Sequence, residues 1–185
     1  MKAVKFLSML ALSGVLFISC SDDDDTPPEE VNEEEVITTM TVALAPQGGG
    51  DTITLQSRDI DGDGPGAPVV TVSGSLAGNT TYTGAIVLLN ETETPAEDIT
   101  EEVAEEDDEH QFFFQTTGSI ASVDYGDTDG NGNPVGIVFT LDTDTAGAAS
   151  ITITLRHEPK KPNDGTLADA GGETDIAQTF DLTVQ

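Results

Sequence analysis

Two histidines are the side chains whose type best suits metal chemistry in this sequence. His110 lies in EEDDEHQFFF and His157 lies in LRHEPKKPND, each at the end of a predicted strand and each beside a glutamate, Glu109 or Glu158. Imidazole nitrogens combined with carboxylate oxygens are a typical ligand set for Zn²⁺ and also suit copper or iron. If the two strand ends meet, His110, His157, Glu109 and Glu158 could together hold such an ion.

An alternative reading places both histidines at the surface. The two residues lie far apart in the sequence, so their spacing alone does not bring them together. Histidines at exposed strand ends commonly pair with nearby acids and hold no metal. Adjacent carboxylates would also raise the pKa of each histidine, which would weaken the neutral imidazole as a ligand near roughly pH 6–7.

Two loops carry acidic side chains at alternate positions, as the first half of a calcium-binding loop does. Such carboxylates converge on a hard cation, and the following glycine permits the sharp turn. The twelfth position, a glutamate in the EF-hand loop, is Val70 or Val138 here, so another part of the fold would have to supply a ligand. Plain turns are the alternative, because Asp-Gly and Asn-Gly are common turn dipeptides. The candidate calcium ligands are Asp59, Asp61 and Asp63 in DIDGDG, and Asp127, Asp129 and Asn131 in DTDGNG.

The composition excludes several classes of function. The formal net charge is −29, which repels nucleic acid and anionic lipid because both require Lys/Arg surfaces. The absence of tryptophan and the presence of only two tyrosines argue against an aromatic sugar-binding platform. No phosphate-binding loop and no nucleophile with an ordered base is recognisable, so we expect neither enzyme activity nor a nucleic-acid partner. Paired carboxylates leave a glycosidase as a remote third reading.

The elements that must position these residues are mostly strands. Runs of Thr, Val and Ile alternate with period two and are bounded by Gly, Asn, Asp and Pro, which predicts an antiparallel β-sandwich of about nine strands, immunoglobulin-like or related. One short acidic helix is predicted at 95–109, between the two halves, with Thr94 as its cap and Ile99 and Val103 on one face. The predicted strands are 36–45, 52–58, 68–76, 80–90, 110–117, 119–125, 135–142, 149–157 and 176–184.

The N-terminus has the pattern of a targeting segment. Lys2 and Lys5 precede the apolar run FLSMLALSGVLFI, which is too short to span a membrane. A basic start and a short apolar core are typical of a signal peptide, predicted here for residues 1–19. Ser19-Cys20 after that core resembles a bacterial lipoprotein signal, although Phe17 stands where leucine is preferred. We therefore expect Cys20, the only cysteine, to be acylated and to anchor the chain in a membrane.

An acidic segment follows the cysteine directly. SDDDD resembles the export signal of surface lipoproteins in certain Gram-negative bacteria, which directs them to the outer face of the outer membrane. A solvated spacer is the alternative, and the composition of residues 20–35 predicts a disordered acidic tether in either case. The remaining residues, 36–185, are long enough for a single domain with a core of its own.

The whole chain resembles a family of short, acidic surface lipoproteins often labelled type 1 periplasmic binding fold superfamily proteins. The resemblance rests on CSDDDD, EEEVITTMTV, EEDDEHQFFF and LRHEP. The label implies two α/β lobes, whereas these residues predict strands and one helix, so we expect the β-sandwich.

The predicted location and the candidate ion sites together indicate a non-enzymatic function. We expect a lipoprotein of the outer membrane, facing outward, that captures a ligand or a metal ion as an accessory to an outer-membrane uptake receptor. A structural or adhesive surface module, stabilised by Ca²⁺ in the two acidic loops, is the alternative. The expected cofactor is accordingly Ca²⁺ or a transition ion such as Zn²⁺, with no organic cofactor.

Overall fold

Ten strands and two short helices make up the described part of the chain. The computed structural model describes residues 35–61 and 66–185, and these residues form one compact unit. The strands are β1 (Thr39–Pro46), β2 (Ile53–Arg58), β3 (Val69–Val72), β4 (Thr81–Asn90), β5 (Glu97–Asp98), β6 (His110–Gly118), β7 (Ile120–Tyr125), β8 (Val138–Thr143), β9 (Gly147–His157) and β10 (Glu173–Val184). The helices are α1 (Ile99–Glu105) and α2 (Leu167–Ala170).

The strands form two antiparallel sheets. The larger sheet has the order β3-β2-β1-β4-β8-β7, and β5 pairs with the end of β4. The smaller sheet has the order β10-β9-β6. The chain crosses from the smaller sheet to the larger between β6 and β7 and returns between β8 and β9. The predicted antiparallel β-sandwich is therefore confirmed, with the short β5 added to the nine predicted strands.

Strand alternation produces a single core between the sheets. In β9, Ile151, Ile153 and Leu155 are fully buried, whereas Thr152 faces outward and shares a 2.8 Å hydroxyl–hydroxyl hydrogen bond with Thr179 of β10. Buried residues of both sheets belong to one hydrophobic cluster. Burial of each large aliphatic side chain contributes about 1.5–3 kcal/mol, so the core accounts for the packing of one sheet on the other.

Helix α1 is shorter than predicted and starts later. Glu97 and Asp98 pair with the end of β4, so the helix begins at Ile99 and not near Pro95. The predicted cap at Thr94 is wrong, because the Asp98 carboxylate accepts the hydrogen bond from the Thr100 amide at 3.0 Å. The prediction that Ile99 and Val103 share a buried face is confirmed. Neither helix of the described part is long and apolar enough to cross a membrane.

The connection between β9 and β10 folds back and is tied to β6 and to the segment that follows α1. Asn163 donates a 2.8 Å hydrogen bond to the buried Gln111 of β6. The Lys161 ammonium, only 6 % exposed, donates to the Asp107 carbonyl at 2.5 Å. These contacts fix the short segment between α1 and β6, which leads directly to His110. Helix α2, capped by Thr166, lies in the same connection and was not predicted.

Candidate metal centre

The two histidines lie directly opposite each other at one end of the smaller sheet. His110 is the first residue of β6 and His157 is the last residue of β9, and the strand register pairs them. Their ring centroids are 4.6 Å apart with an angle of 35° between the planes. His110 is 0 % and His157 is 5 % exposed. The two strand ends therefore do meet, and the alternative of surface histidines is wrong.

The surroundings of His110 leave one ring nitrogen available. Nδ1 lies 3.2 Å from the Glu106 carbonyl oxygen. A carbonyl can only accept, so this hydrogen bond places the proton on Nδ1 and the lone pair on Nε2. Nε2 is buried and has no hydrogen-bond partner in the described part of the chain. Such a nitrogen loses its water on folding and regains nothing from the protein.

Burial also decides the protonation of His110. Removal from water lowers its pKa, and the neighbouring His157 acts in the same direction, against the effect of the Glu106 carbonyl. The Glu106 carboxylate does act to raise this pKa, but the expected net rise is wrong for His110, because desolvation of the charged ring is the largest effect and outweighs it. The neutral imidazole, which is the metal-binding form, is therefore favoured.

A third donor, Asp175, comes from the remaining strand of the smaller sheet. Its side chain is only 1 % exposed, and its Oδ1 lies 3.7 Å from Nδ1 of His157. Donor atoms of His110, His157 and Asp175 all lie within 4.8 Å of one another. Strands β6, β9 and β10 thus each contribute one side chain to the same end of the sheet.

A β-bulge explains how a charged side chain of β10 comes to be buried. Thr174 pairs with Arg156 and Ile176 pairs with Leu155, so Asp175 is an extra residue on its strand. Without the bulge, the alternation that buries Phe180 and orients Ile176 inward would turn Asp175 outward. Bulges redirect individual side chains and are common beside functional sites. This bulge brings the Asp175 carboxylate to the two histidines.

Further carboxylates surround this trio. Glu35, Glu106 and His110 also have donor atoms within 4.8 Å of one another. Burial raises the pKa of Glu35 to about 7, and a hydrogen bond with Glu102 and the negative charges of Glu102, Glu106 and Asp175 act in the same direction. Glu35, which the sequence assigned to the acidic tether, therefore belongs to the folded domain and to the edge of the candidate site.

The two glutamates predicted as ligands lie on the solvent side of His157. Glu109, His157 and Glu158 have donor atoms within 4.8 Å of one another, but both glutamates are exposed. The Glu158 amide donates to the Glu109 carbonyl at 2.7 Å. Asp175 and Glu35 were missed, since nothing in the sequence places either near a histidine.

The acidic loop after β7 is stabilised by its own hydrogen bonds. The Asp127 carboxylate accepts from the amides of Gly136 and Val138 at 2.6 and 2.9 Å. The Asp129 carboxylate accepts from the amides of Asn131 and Asn133, and Lys161 lies 3.5 Å from it. Calcium binding by Asp127, Asp129 and Asn131 stays a prediction, and it would require the ion to displace these donors.

The other acidic loop is only partly described. Asp61 accepts a 3.1 Å hydrogen bond from the Gly66 amide, and the Asp59 amide donates to the Thr38 carbonyl at 2.7 Å. Asp63 lies outside the described residues, and so do Cys20 and the rest of the predicted signal peptide and tether up to residue 34. The predictions made for those positions therefore stay predictions.

Comparison with known proteins does not extend these observations. No protein-family model matches the chain, and no curated protein or solved structure matches it either. The candidate site is therefore defined by its own geometry, which joins two imidazoles and a buried carboxylate.

Proposed function

We propose that this protein captures a divalent transition-metal ion and acts without enzymatic chemistry of its own. The observation that supports the proposal most is the fully buried Nε2 of His110, which has no hydrogen-bond partner within the described residues. Burying a polar atom without a partner costs about 1–3 kcal/mol. A bound ion would offset that cost and gives a reason for keeping the histidine in the interior.

The donor set favours a transition ion over calcium. Imidazole nitrogen suits Zn²⁺ and ions of similar softness, whereas Ca²⁺ prefers six to eight oxygens. In a tetrahedral site with bonds of about 2.1 Å, donor atoms lie roughly 3.4 Å apart. The donors of His110, His157 and Asp175 are within 4.8 Å of one another, so movements on the order of an ångström would bring them to an ion.

The proposed location comes from the N-terminal sequence. Cys20 after a short apolar run and the four aspartates Asp22–Asp25 support a lipid anchor and a position on the outer face of the outer membrane. A capturing protein at that surface would deliver its ion to an outer-membrane uptake receptor. The high negative charge of the chain raises the local cation concentration, which assists capture.

Isothermal titration calorimetry tests the binding function. The protein is the mature chain with Cys20→Ser, which stays unacylated and soluble, titrated with Zn²⁺, Cu²⁺ and Fe²⁺. We expect one ion per chain, and at least tenfold weaker binding in His110→Ala, His157→Ala and Asp175→Asn. Asp181→Asn, an exposed position on β10, is the matched control and should bind as the wild type does. Absence of binding heat for all three ions would refute the proposal.

A further inference from the structure

A cleft connects the candidate site with solvent. It has a volume of about 410 Å³ and lies between the segment before β1, the end of β2 and the start of β10. Glu35 and Asp175 are among its lining residues, whereas His110 and His157 are not. Both carboxylate oxygens of Asp175 are buried, whereas Glu35 is half-buried, so Glu35 is the carboxylate of the candidate site that an ion entering by this cleft meets first.

Glu35 and Asp175 both come close to the same histidine. Asp175 belongs to the set of donors around His110 and His157, and Glu35 belongs to a second set around His110 and Glu106. Glu35 and Asp175 also line the same cleft. Both sets contain His110, but no set of described residues joins Glu35 to His157 or Asp175, so Glu35 would move towards an ion held by the other three.

Three glutamates at this end of the sandwich have no basic side chain paired with them within the described residues. Glu35, Glu102 and Glu106 form no ion pair with a basic residue in the described part of the chain. The four basic side chains there make other contacts: Arg58 with Glu91, Lys160 with Asp169, Lys161 with Asp107 and Asp129, and Arg156 with the Gly172 carbonyl. Like charges gathered in a partly buried space repel one another, and a divalent cation would relieve that repulsion.

We propose that Glu35 is a fourth ligand, which reaches the ion from the cleft and completes a site of two imidazoles and two carboxylates with His110, His157 and Asp175. This inference rests on the proposed function and narrows it to ions that accept four-coordinate geometry with mixed nitrogen and oxygen donors, Zn²⁺ and Co²⁺ above all. It also makes Glu35 a specificity residue. With Glu35 absent, water takes its place, and the site discriminates less well against ions that prefer six ligands.

Visible absorption of bound Co²⁺ tests the role of Glu35. The spectrum of this ion reports its coordination, because four-coordinate Co²⁺ absorbs far more strongly than six-coordinate Co²⁺. We expect the intense four-coordinate bands for the mature chain with Cys20→Ser. Glu35→Gln should weaken these bands and lower the affinity for Co²⁺ by about 10- to 100-fold. Glu35→Asp, which keeps a shorter carboxylate, should recover part of both.

Two controls distinguish a failure of the proposed metal binding from a failure of the proposed role of Glu35. Glu105→Gln removes an exposed carboxylate of α1 that belongs to none of the donor sets, and it should match the wild type in affinity and spectrum. Circular dichroism of each metal-free variant shows that the sandwich is intact. If the wild type binds no Co²⁺, the proposed function is wrong. If it binds and Glu35→Gln equals Glu105→Gln in affinity and spectrum, the metal site stands and the role of Glu35 is overturned.

Discussion

Asp129 shows how one carboxylate stabilises a loop by accepting several hydrogen bonds. Burial opposes its ionisation, but the hydrogen bonds from Asn133 and Asn131 and the charge of Lys161 outweigh this effect and lower its pKa to about 2. Unfolded aspartate titrates near about pH 3.9. The depressed pKa therefore stabilises the fold fully above about pH 4, and this contribution is lost as the pH falls through about 2.

Asp129→Asn should make the protein less stable at neutral pH and less sensitive to acid. We expect the difference in free energy of unfolding between wild type and variant to be constant from about pH 7 to 5 and to shrink between about pH 4 and 2. Urea denaturation at a series of pH values measures it. Asp51→Asn, an exposed loop position, should follow the wild type throughout. A difference independent of pH would show that the Asp129 charge is not involved.

Helix α1 is held to the sandwich by its two buried side chains. Ile99 is 2 % exposed and belongs to the hydrophobic core. Ile99→Ala should lower the free energy of unfolding by about 2–5 kcal/mol, because it removes buried methyl groups and leaves a cavity. Glu101→Ala, on the exposed face of the same helix, should change it by less than about 0.5 kcal/mol. Equal effects in urea denaturation would mean that α1 does not depend on this contact.

Most strands could be predicted because alternation and turn residues are local signals. The segment 149–157 already shows Ile151, Ile153 and Leu155 on one face, and β9 extends that prediction by only two residues, from Gly147. The helix was predicted too long because an acidic run satisfies helical spacing. Glu97 and Asp98, which lie near the start of the predicted helix, instead pair with the end of β4.

The candidate site could be predicted only in part, for a physical reason. Residue types identified His110 and His157, but their pairing depends on the order of strands in the smaller sheet, which is a property of the whole fold. Asp175 could not be found at all. Regular alternation counted back from Phe180 places the Asp175 side chain on the solvent side of the sheet. Only the bulge between Thr174 and Ile176 turns this side chain inward.

Metal binding should stabilise the whole domain. The ion that stabilises it distinguishes transition-metal capture from the calcium-stabilised surface module. At a free Zn²⁺ concentration of about 100 Kd, the free energy of unfolding rises by about 2.7 kcal/mol. For a domain of this size that raises Tm by roughly 5–10 °C. EDTA should reverse the shift. A shift with Ca²⁺ that persists in His110→Ala, and none with Zn²⁺, would instead favour the calcium-stabilised surface module.

The proposed location at the outer face of the outer membrane can be tested separately in cells. Cys20→Ser should abolish incorporation of labelled palmitate and release the protein from the membrane fraction, because the acyl chains supply the anchoring. Replacing Asp22–Asp25 by serine should leave acylation unchanged but protect the protein from protease added outside the cells. Protease sensitivity equal to that of the wild type would mean that these aspartates are only a spacer.

The position of β1 would have a mechanical consequence under the proposed N-terminal anchor. Although β1 is the first strand of the described residues, it lies inside the larger sheet, with six residue pairs to β2 and eight to β4. If the chain is anchored at Cys20 as proposed, tension would reach the described residues at Glu35 and run along β1. Both rows of hydrogen bonds then resist in shear and must break together, whereas a first strand at the sheet edge could be peeled off one bond at a time.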